Sequence, residues 1–172
     1  MRQAFPPLIL GNPKILILGT FPSPLSRDKG EYYGNPRNVF WRIIYDTFRI
    51  AFDTPNYSEK KKVLFDNRLA LWDVIQSCEI EGALDSAIEN PIYNFALPEF
   101  IKSNRIDTVL FNGNNAYDFY RRGIGPIEKN VLPSTSPANA RINYAVKLKI
   151  WSEALKGDFK NNLRYTGISF IF

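Results

Sequence analysis

The segment EYYGNPRNVFW contains side chains that could bind a nucleic-acid base and act on it. Tyr32 and Tyr33 offer flat faces for stacking a base, worth about 1–3 kcal/mol per base. Gly34 permits close approach of a ligand to the backbone, Arg37 can reach a phosphate, and Asn38 lies on the fixed backbone of a predicted first helical turn. Alternatively, both tyrosines lie in the core and Asn38 caps the helix. The string as a whole favours the ligand-binding interpretation.

The composition excludes the catalytic classes that rely on histidine or on several cysteines. The chain has 172 residues, no histidine and a single cysteine, Cys78. Histidine general bases, Ser–His–Asp and Cys–His catalysis and histidine metal sites are therefore excluded. One cysteine allows no intrachain disulfide and no cysteine-ligated zinc or iron–sulfur centre. Any chemistry must come from other polar side chains or backbone amides, and we expect no metal and no cofactor.

The charge of the chain is compatible with a polyanionic partner. The net charge is +5 and the pI is about 9.3, a mild basic excess that many proteins without a nucleic-acid role share. No apolar run approaches the ~20 residues needed to cross a bilayer, and no signal peptide is predicted. Because the single cysteine fits a reducing compartment, we expect a cytoplasmic protein. We also expect a monomer with one domain over residues 1–172.

Alternating strands and helices predict an α/β fold. Short apolar runs predict four strands, at residues 14–19, 69–75, 106–113 and 127–133. Helical spacing and capping residues predict helices that begin near Pro36 and at Ser58 and that cover 97–104, 114–122 and 143–156. The stretch 76–94 is predicted to be mainly a polar loop, and the tail RYTGISFIF is left unassigned. The alternation predicts a mainly parallel sheet with helices on both faces.

The loops after the strands must then carry the site, because ligands bind at the carboxyl ends of such strands. These loops begin at Gly19, Asp73, Gly113 and Pro133. GTFPSPLS, after the first strand, can turn backbone amides toward an anion or a carbonyl, although by itself it favours a plain glycine–proline turn. PSTSPANAR, after the fourth strand, carries hydroxyls, an amide and an arginine suited to a phosphate backbone. A helix-capping loop explains it equally well.

Five segments occur together along nearly the whole chain: ILGTFPS, YYGNPRNVFW, LWDVIQSCEIEGALDSAI, NGNNAY and LPSTSPANAR. In this order they resemble the uracil-DNA glycosylase superfamily, and within it the hypoxanthine-DNA (deoxyinosine) glycosylase branch. The resemblance implies a three-layer α/β/α sandwich with a mainly parallel four-stranded central sheet. It also implies a monofunctional enzyme that flips a deaminated base out of DNA and hydrolyses its N-glycosidic bond.

The resemblance also implies catalytic roles. In this branch the catalytic residue is the second asparagine of NPRN, which here is Asn38. The first motif, GTFPS, lacks the acidic or amide residue that many superfamily members carry there. In the second motif, Ser134 and Ala138 stand where most relatives have a histidine or asparagine and a bulky wedge. Asn139 or Arg141 is then left to fill the gap behind a flipped base.

Base recognition is predicted at the ends of the first two strands. Tyr33 would stack on the flipped purine. The backbone amides of Thr20 and Phe21, next to Gly19, would donate to the purine O6, where negative charge grows as the base leaves. Asp73 would accept a hydrogen bond from the purine N1–H, which adenine lacks. Contacts to the DNA backbone are predicted for Ser23, Arg37, Asn112, Gly113, Ser134, Ser136, Asn139 and Arg141.

Other interpretations stay open at this point. One keeps the fold but makes the enzyme uracil-specific or mismatch-specific. Another is a non-catalytic module that binds damaged DNA, which the departure in the first motif allows. A small-molecule hydrolase using Ser23 or Ser26 is disfavoured, because no histidine is present to act as its base.

Overall fold

The computed structural model of the chain describes residues 1–82 and 84–157. Its strands are β1 (Arg2–Gln3), β2 (Ile15–Gly19), β3 (Leu69–Asp73), β4 (Ile75–Ile80), β5 (Ile88–Tyr93), β6 (Thr108–Asn112) and β7 (Val131–Leu132). Its helices are α1 (Pro24–Lys29), α2 (Phe40–Thr47), α3 (Tyr57–Asp66), α4 (Leu97–Ser103), α5 (Asn114–Gly123) and α6 (Tyr144–Leu155). A 3₁₀ turn covers Asp85–Ala87.

The central sheet has four parallel strands in the order β3-β2-β6-β7. Its strands are continuous apolar runs because helices cover both faces. On one face Ile17 packs in a core with α2, α3 and α6, and on the other Leu16 and Leu18 pack with α4 and α5. The register pairs Gly19 with Asp73, which brings both to the carboxyl edge of the sheet. The predicted α/β sandwich is confirmed.

The prediction of a polar loop over 76–94 is wrong. β4 and β5 form an antiparallel pair there, and β1 adds to it to give a three-stranded sheet in the order β1-β4-β5. The register shifts between Ile75 and Ser77 and again between Ser77 and Glu79. Such irregularities break the strict alternation of buried and exposed residues by which a strand is recognised. The sequence pattern therefore did not reveal this sheet.

The helix predicted to begin near Pro36 begins at Phe40 instead. The side-chain oxygen of Asn38 accepts a hydrogen bond from the Phe40 amide at 2.9 Å. Asparagine side chains compete with helical hydrogen bonding in this way, which favours a turn ahead of the helix. Asn38 therefore precedes the helix rather than lying in its first turn.

Smaller differences concern helix ends and short elements. Asn56, not Ser58, caps α3, in a reciprocal pair of bonds with Glu59. Ser23 caps α1, a helix that was not predicted. β7 has only two residues, whereas β2, β6, α4, α5 and α6 lie close to their predicted ranges. The unassigned tail RYTGISFIF lies outside the described residues. Within 1–82 and 84–157 no helix has the length and hydrophobicity to cross a membrane.

Candidate active site

The carboxyl ends of the central strands open into a cavity of about 560 Å³. This volume is in the range of small-molecule sites, roughly 300–1,000 Å³. Each strand of the central sheet contributes to it, through its last residue or through the segment that follows, as does the segment before α2. We call its deep part, around Gly19, Tyr33 and Asp73, the inner end, and the loop Ser134–Arg141 the rim.

Asp73 is the most perturbed carboxyl group of the inner end. It is 4% exposed, and its Oδ2 has no hydrogen-bond partner among the described residues. Burial, with a smaller contribution from the charge of Asp85, raises the pKa of Asp73 to about 8. A Cβ atom at Gly19 would lie 2.6 Å from Asp73 Oδ1. Glycine at this position therefore makes room for the carboxyl group.

Tyr33 forms an aromatic wall of the cavity. Its ring stacks on Phe40, with 3.9 Å between centroids and 23° between planes. Its backbone has φ = 53°, a conformation that is uncommon for a bulky residue and often marks a functional position. Tyr32 is a core residue that also contributes to the cavity wall, and its hydroxyl donates to the Pro6 carbonyl at 3.1 Å. Stacking of Tyr33 on a base stays a prediction.

Asn38 lies between the cavity and the start of α2. Its side chain lines the cavity and also accepts the Phe40 amide at 2.9 Å. An amide oxygen has two lone pairs, so this bond orients the side chain and leaves acceptor capacity for a ligand. The N-cap position of α2 is taken by Val39, and the contact with the Phe40 amide leaves the Asn38 side chain able to meet a ligand in the cavity.

A second carboxyl group, Asp85, lies in the same cavity. Its Oδ2 accepts from the Thr20 hydroxyl at 2.7 Å and from Asn115 Nδ2 at 3.2 Å. Burial raises the pKa of Asp85 above its ordinary value, and these two hydrogen bonds offset only part of the rise. Sequence reasoning missed Asp85 because it lies in the stretch taken for a loop. The family-like segment LWDVIQSCEIEGALDSAI was the one signal that could have pointed to it.

The rim is held by hydrogen bonds within it and by bonds to neighbouring elements. Asn112 and Thr135 exchange two bonds of 2.9 Å, from Asn112 Nδ2 to Thr135 Oγ1 and from the Thr135 amide to Asn112 Oδ1. Ser134 Oγ accepts from the Ser136 amide at 3.2 Å, and Asn139 Nδ2 donates to the Ser134 carbonyl at 3.3 Å. The loop is therefore a rigid turn that presents polar groups at the mouth of the cavity.

Residues 6–155 match the family described as the Uracil DNA glycosylase superfamily. The chain belongs to this superfamily. A protein named Hypoxanthine DNA glycosylase from Methanosarcina acetivorans is 40% identical over 147 residues, covering 83% of this chain and 91% of the relative. One of the same name from Methanosarcina barkeri is 35% identical over 158 residues, covering 90% and 98%. The predicted family and enzyme class, a DNA glycosylase, are confirmed.

The fold is also shared with a solved member of the superfamily. The solution NMR structure of a candidate uracil DNA glycosylase from Methanosarcina acetivorans is 32% identical, with a TM-score of 0.69. The match covers 90% of this chain and 96% of that one. Sequence and structure therefore agree on the superfamily over nearly the whole length of both proteins.

The cavity brings together most of the predicted site residues. Those that line it are Gly19, Thr20, Phe21, Ser23, Tyr33, Asn38, Asp73, Asn112, Ser134, Ser136, Asn139 and Arg141. Arg37 is exposed and Gly113 is buried, and both lie outside this lining. Lining residues that sequence reasoning missed are Leu84, Asp85, Asn115, Thr135 and Ile142. Within residues 1–82 and 84–157, no group of three or more His, Cys, Asp or Glu side chains could hold a metal ion.

Proposed function

We propose that this protein is a hypoxanthine-DNA glycosylase, which flips a deaminated purine out of DNA and hydrolyses its N-glycosidic bond. The observation that carries the proposal is the inner end of the cavity, where the buried Asp73 has an oxygen without a partner among the described residues. Such a group is costly unless a ligand satisfies it. The names of both relatives support hypoxanthine as that ligand.

Recognition of the base uses the inner end. A base inside a duplex cannot be reached, so it is extruded at a cost of a few kcal/mol, and a mispaired hypoxanthine opens more easily than a normal pair. Tyr33, backed by Phe40, stacks on the purine. The amides of Thr20 and Phe21 donate to O6, and Asp73 accepts from N1–H. Adenine lacks N1–H and carries an amino group at C6, so both contacts disfavour it.

Bond cleavage uses Asn38. Departure of the purine leaves an oxocarbenium-like sugar, and negative charge develops on the base. The amide of Asn38 does not titrate near neutrality, so it does not act as an effective general base. Its carbonyl oxygen orients the attacking water and faces the cationic sugar, which are positioning and electrostatic contributions. The hydrogen bond from the Phe40 amide keeps this side chain in place.

Contacts to the DNA backbone come from the rim and from neighbouring loops. Ser23 and Asn112 contact phosphates near the strand ends, and Arg37 does so from outside the cavity lining. Gly113 is buried and its amide donates to the carbonyls of Phe111 and Leu132, so we assign it no phosphate contact. In the rim, phosphates are bound by Ser134, Ser136 and Arg141. Asn139 or Arg141 fills the gap left by the flipped base, because Ala138 has only a methyl group. We propose a cytoplasmic monomer that needs neither metal nor cofactor.

The test is excision of hypoxanthine from a duplex that contains one deoxyinosine. The parent protein is expected to produce alkali-labile sites, and Asn38→Ala to lower the rate about 10²–10³-fold. Asn38→Ala also removes the hydrogen bond that the Asn38 side chain accepts from the Phe40 amide, worth about 1 kcal/mol. Asn38→Ser is the matched control, since serine can make a similar backbone contact but is too short to position the water. It should therefore restore stability and not the rate.

Two outcomes would contradict the proposal. Asn38→Ala that cleaves at the parental rate would remove Asn38 from catalysis. Parallel duplexes with uracil or xanthine in place of hypoxanthine test the substrate. Faster release of uracil than of hypoxanthine would make the protein a uracil-DNA glycosylase of the same fold.

A further inference from the structure

The two carboxyl groups of the cavity have unequal hydrogen-bond partners. Asp85 Oδ2 accepts from Thr20 Oγ1 at 2.7 Å and from Asn115 Nδ2 at 3.2 Å. Asp73 Oδ2 has no donor among the described residues, although the side chain is almost fully buried. Donors stabilise a carboxylate, whereas burial without donors favours the neutral acid. When two such carboxyl groups share one site, the group without donors holds its proton to higher pH than the other.

We propose that Asp85 carries the negative charge of this pair and that Asp73 is a carboxylic acid which donates a hydrogen bond to the purine O6. Asp85 is then a positioning residue, which acts on the base through Asp73. The inference rests on the proposed function for the identity of the base. It goes beyond that function because Asp73 then donates a hydrogen bond to the base as well as accepting one.

The groups around Asp73 agree with this division of charge. The phenols of Tyr32 and Tyr33 face it from the segment before α2, Asp85 faces it from the turn before β5, and Arg141 lines the rim of the same cavity. Burial first, and the charge of Asp85 second, raise the pKa of Asp73 to about 8. For Asp85, burial raises the pKa above its ordinary value, and the bonds from Thr20 and Asn115, which Asp73 Oδ2 lacks, offset part of that rise.

A protonated Asp73 matches the hypoxanthine edge. Its carbonyl oxygen accepts from N1–H while its hydroxyl donates to O6, so one side chain satisfies both atoms. An ionised Asp73 could only accept, and its charge would lie beside O6, where negative charge grows during cleavage. Excision should therefore decline as the pH rises through the pKa of Asp73. The amides of Thr20 and Phe21, which also donate to O6, still disfavour the amino group of adenine.

The first experiment is a pH profile of single-turnover excision on the inosine duplex, from about pH 6 to about pH 10. The parent should lose activity as the pH rises through about 8, the pKa of Asp73. Asp85→Asn removes the charge that raises this pKa, so the loss should move to lower pH by about one unit. In Asp73→Asn the amide does not titrate, so this loss should be absent from whatever activity remains.

Asp107→Asn is the matched control. Asp107 is exposed, pairs with Lys14 at 3.1 Å and precedes β6, at the edge of the sheet opposite to the cavity. The Asp107→Asn substitution removes one negative charge, as Asp85→Asn does, and should leave the pH profile of excision unchanged. An unchanged profile in Asp85→Asn, or the parental alkaline loss in Asp73→Asn, would overturn the inference.

A second measurement needs neither DNA nor activity. Infrared difference spectra of the free protein near neutral pH, parent minus Asp73→Asn, should show the carbonyl stretch of a protonated carboxylic acid. A carboxylate band in its place would overturn the inference even if Asp85→Asn fails to fold. The acid band together with no release of hypoxanthine would support the placement of the proton and refute the proposed function.

Discussion

The inner end of the cavity and its rim face the same ligand with different physical means. At the inner end, Thr20 and Asp73 are buried, and burial dominates the pKa shift of Asp73. At the rim, Ala138 and Arg141 are exposed. Charges in a desolvated site interact strongly, whereas exposed charges are screened over about 8–10 Å in salt. Substitutions at the inner end should therefore change rate and base selectivity, and those at the rim should change DNA affinity and its salt dependence.

Gly19→Ala should give the largest effect at the inner end. The new Cβ would lie 2.6 Å from Asp73 Oδ1, so the carboxyl group must move, and a misplacement of about 1 Å can cost roughly 10²-fold in rate. The measurement is kcat/KM on the inosine duplex. Gly30→Ala is the control: it adds a methyl group at φ = 66° in open space, which strains the backbone without touching the cavity. Equal kcat/KM values in the two variants would contradict the close contact between position 19 and the Asp73 carboxyl group.

Tyr33→Leu should have an intermediate effect. It removes the stacking surface at the inner end, worth about 1–3 kcal/mol, and should lower kcat/KM for hypoxanthine by roughly 5–150-fold. Phe95→Leu is the matched control, because Phe95 is an exposed aromatic side chain outside the cavity lining. Similar losses in both variants would show that Tyr33 acts through stability rather than through the base.

Arg141→Ala should have the smallest effect, and it should appear as a salt dependence. Loss of one phosphate contact should lower the slope of log K against log salt concentration by about 1, with the excision rate of bound DNA nearly unchanged. Arg37→Ala should do the same from outside the lining. Lys62→Ala is the control, since Lys62 is exposed on α3 and pairs with Asp66. A large fall in the rate of bound DNA would place Arg141 with the inner end instead.

Much of the central sheet could be predicted, because its strands are buried on both faces. β2 and β6 are short apolar runs ending in Gly19 and Asn112, and such runs need no long-range information to be recognised. The antiparallel sheet escaped prediction because the register shifts in β4 interrupt its pattern. The start of α2 was misplaced because Asn38 binds the Phe40 amide and keeps residues 36–38 in a turn.

Site residues were predictable where their type, their motif or their position at the end of a strand indicates a role. Tyr33, Asn38 and Asp73 were predicted from stacking surface, family motif and strand end, and the cavity places them together. Asp85 was not, since nothing near it in the chain distinguishes it from a surface aspartate. Its partner Thr20 is 65 residues away, and Asn115 is 30 residues away.

The sequence by itself determined the superfamily, the α/β layers and the strand ends at which a ligand must bind. These follow from motifs and from apolar runs, which are local properties of the chain. Only the tertiary structure decided that Asp73 and Asp85 share one cavity, and that the hydrogen-bond donors go to Asp85 while Asp73 Oδ2 has none among the described residues. Protonation depends on burial and on neighbouring donors and charges, and these are set by residues that are distant in the chain and adjacent in space.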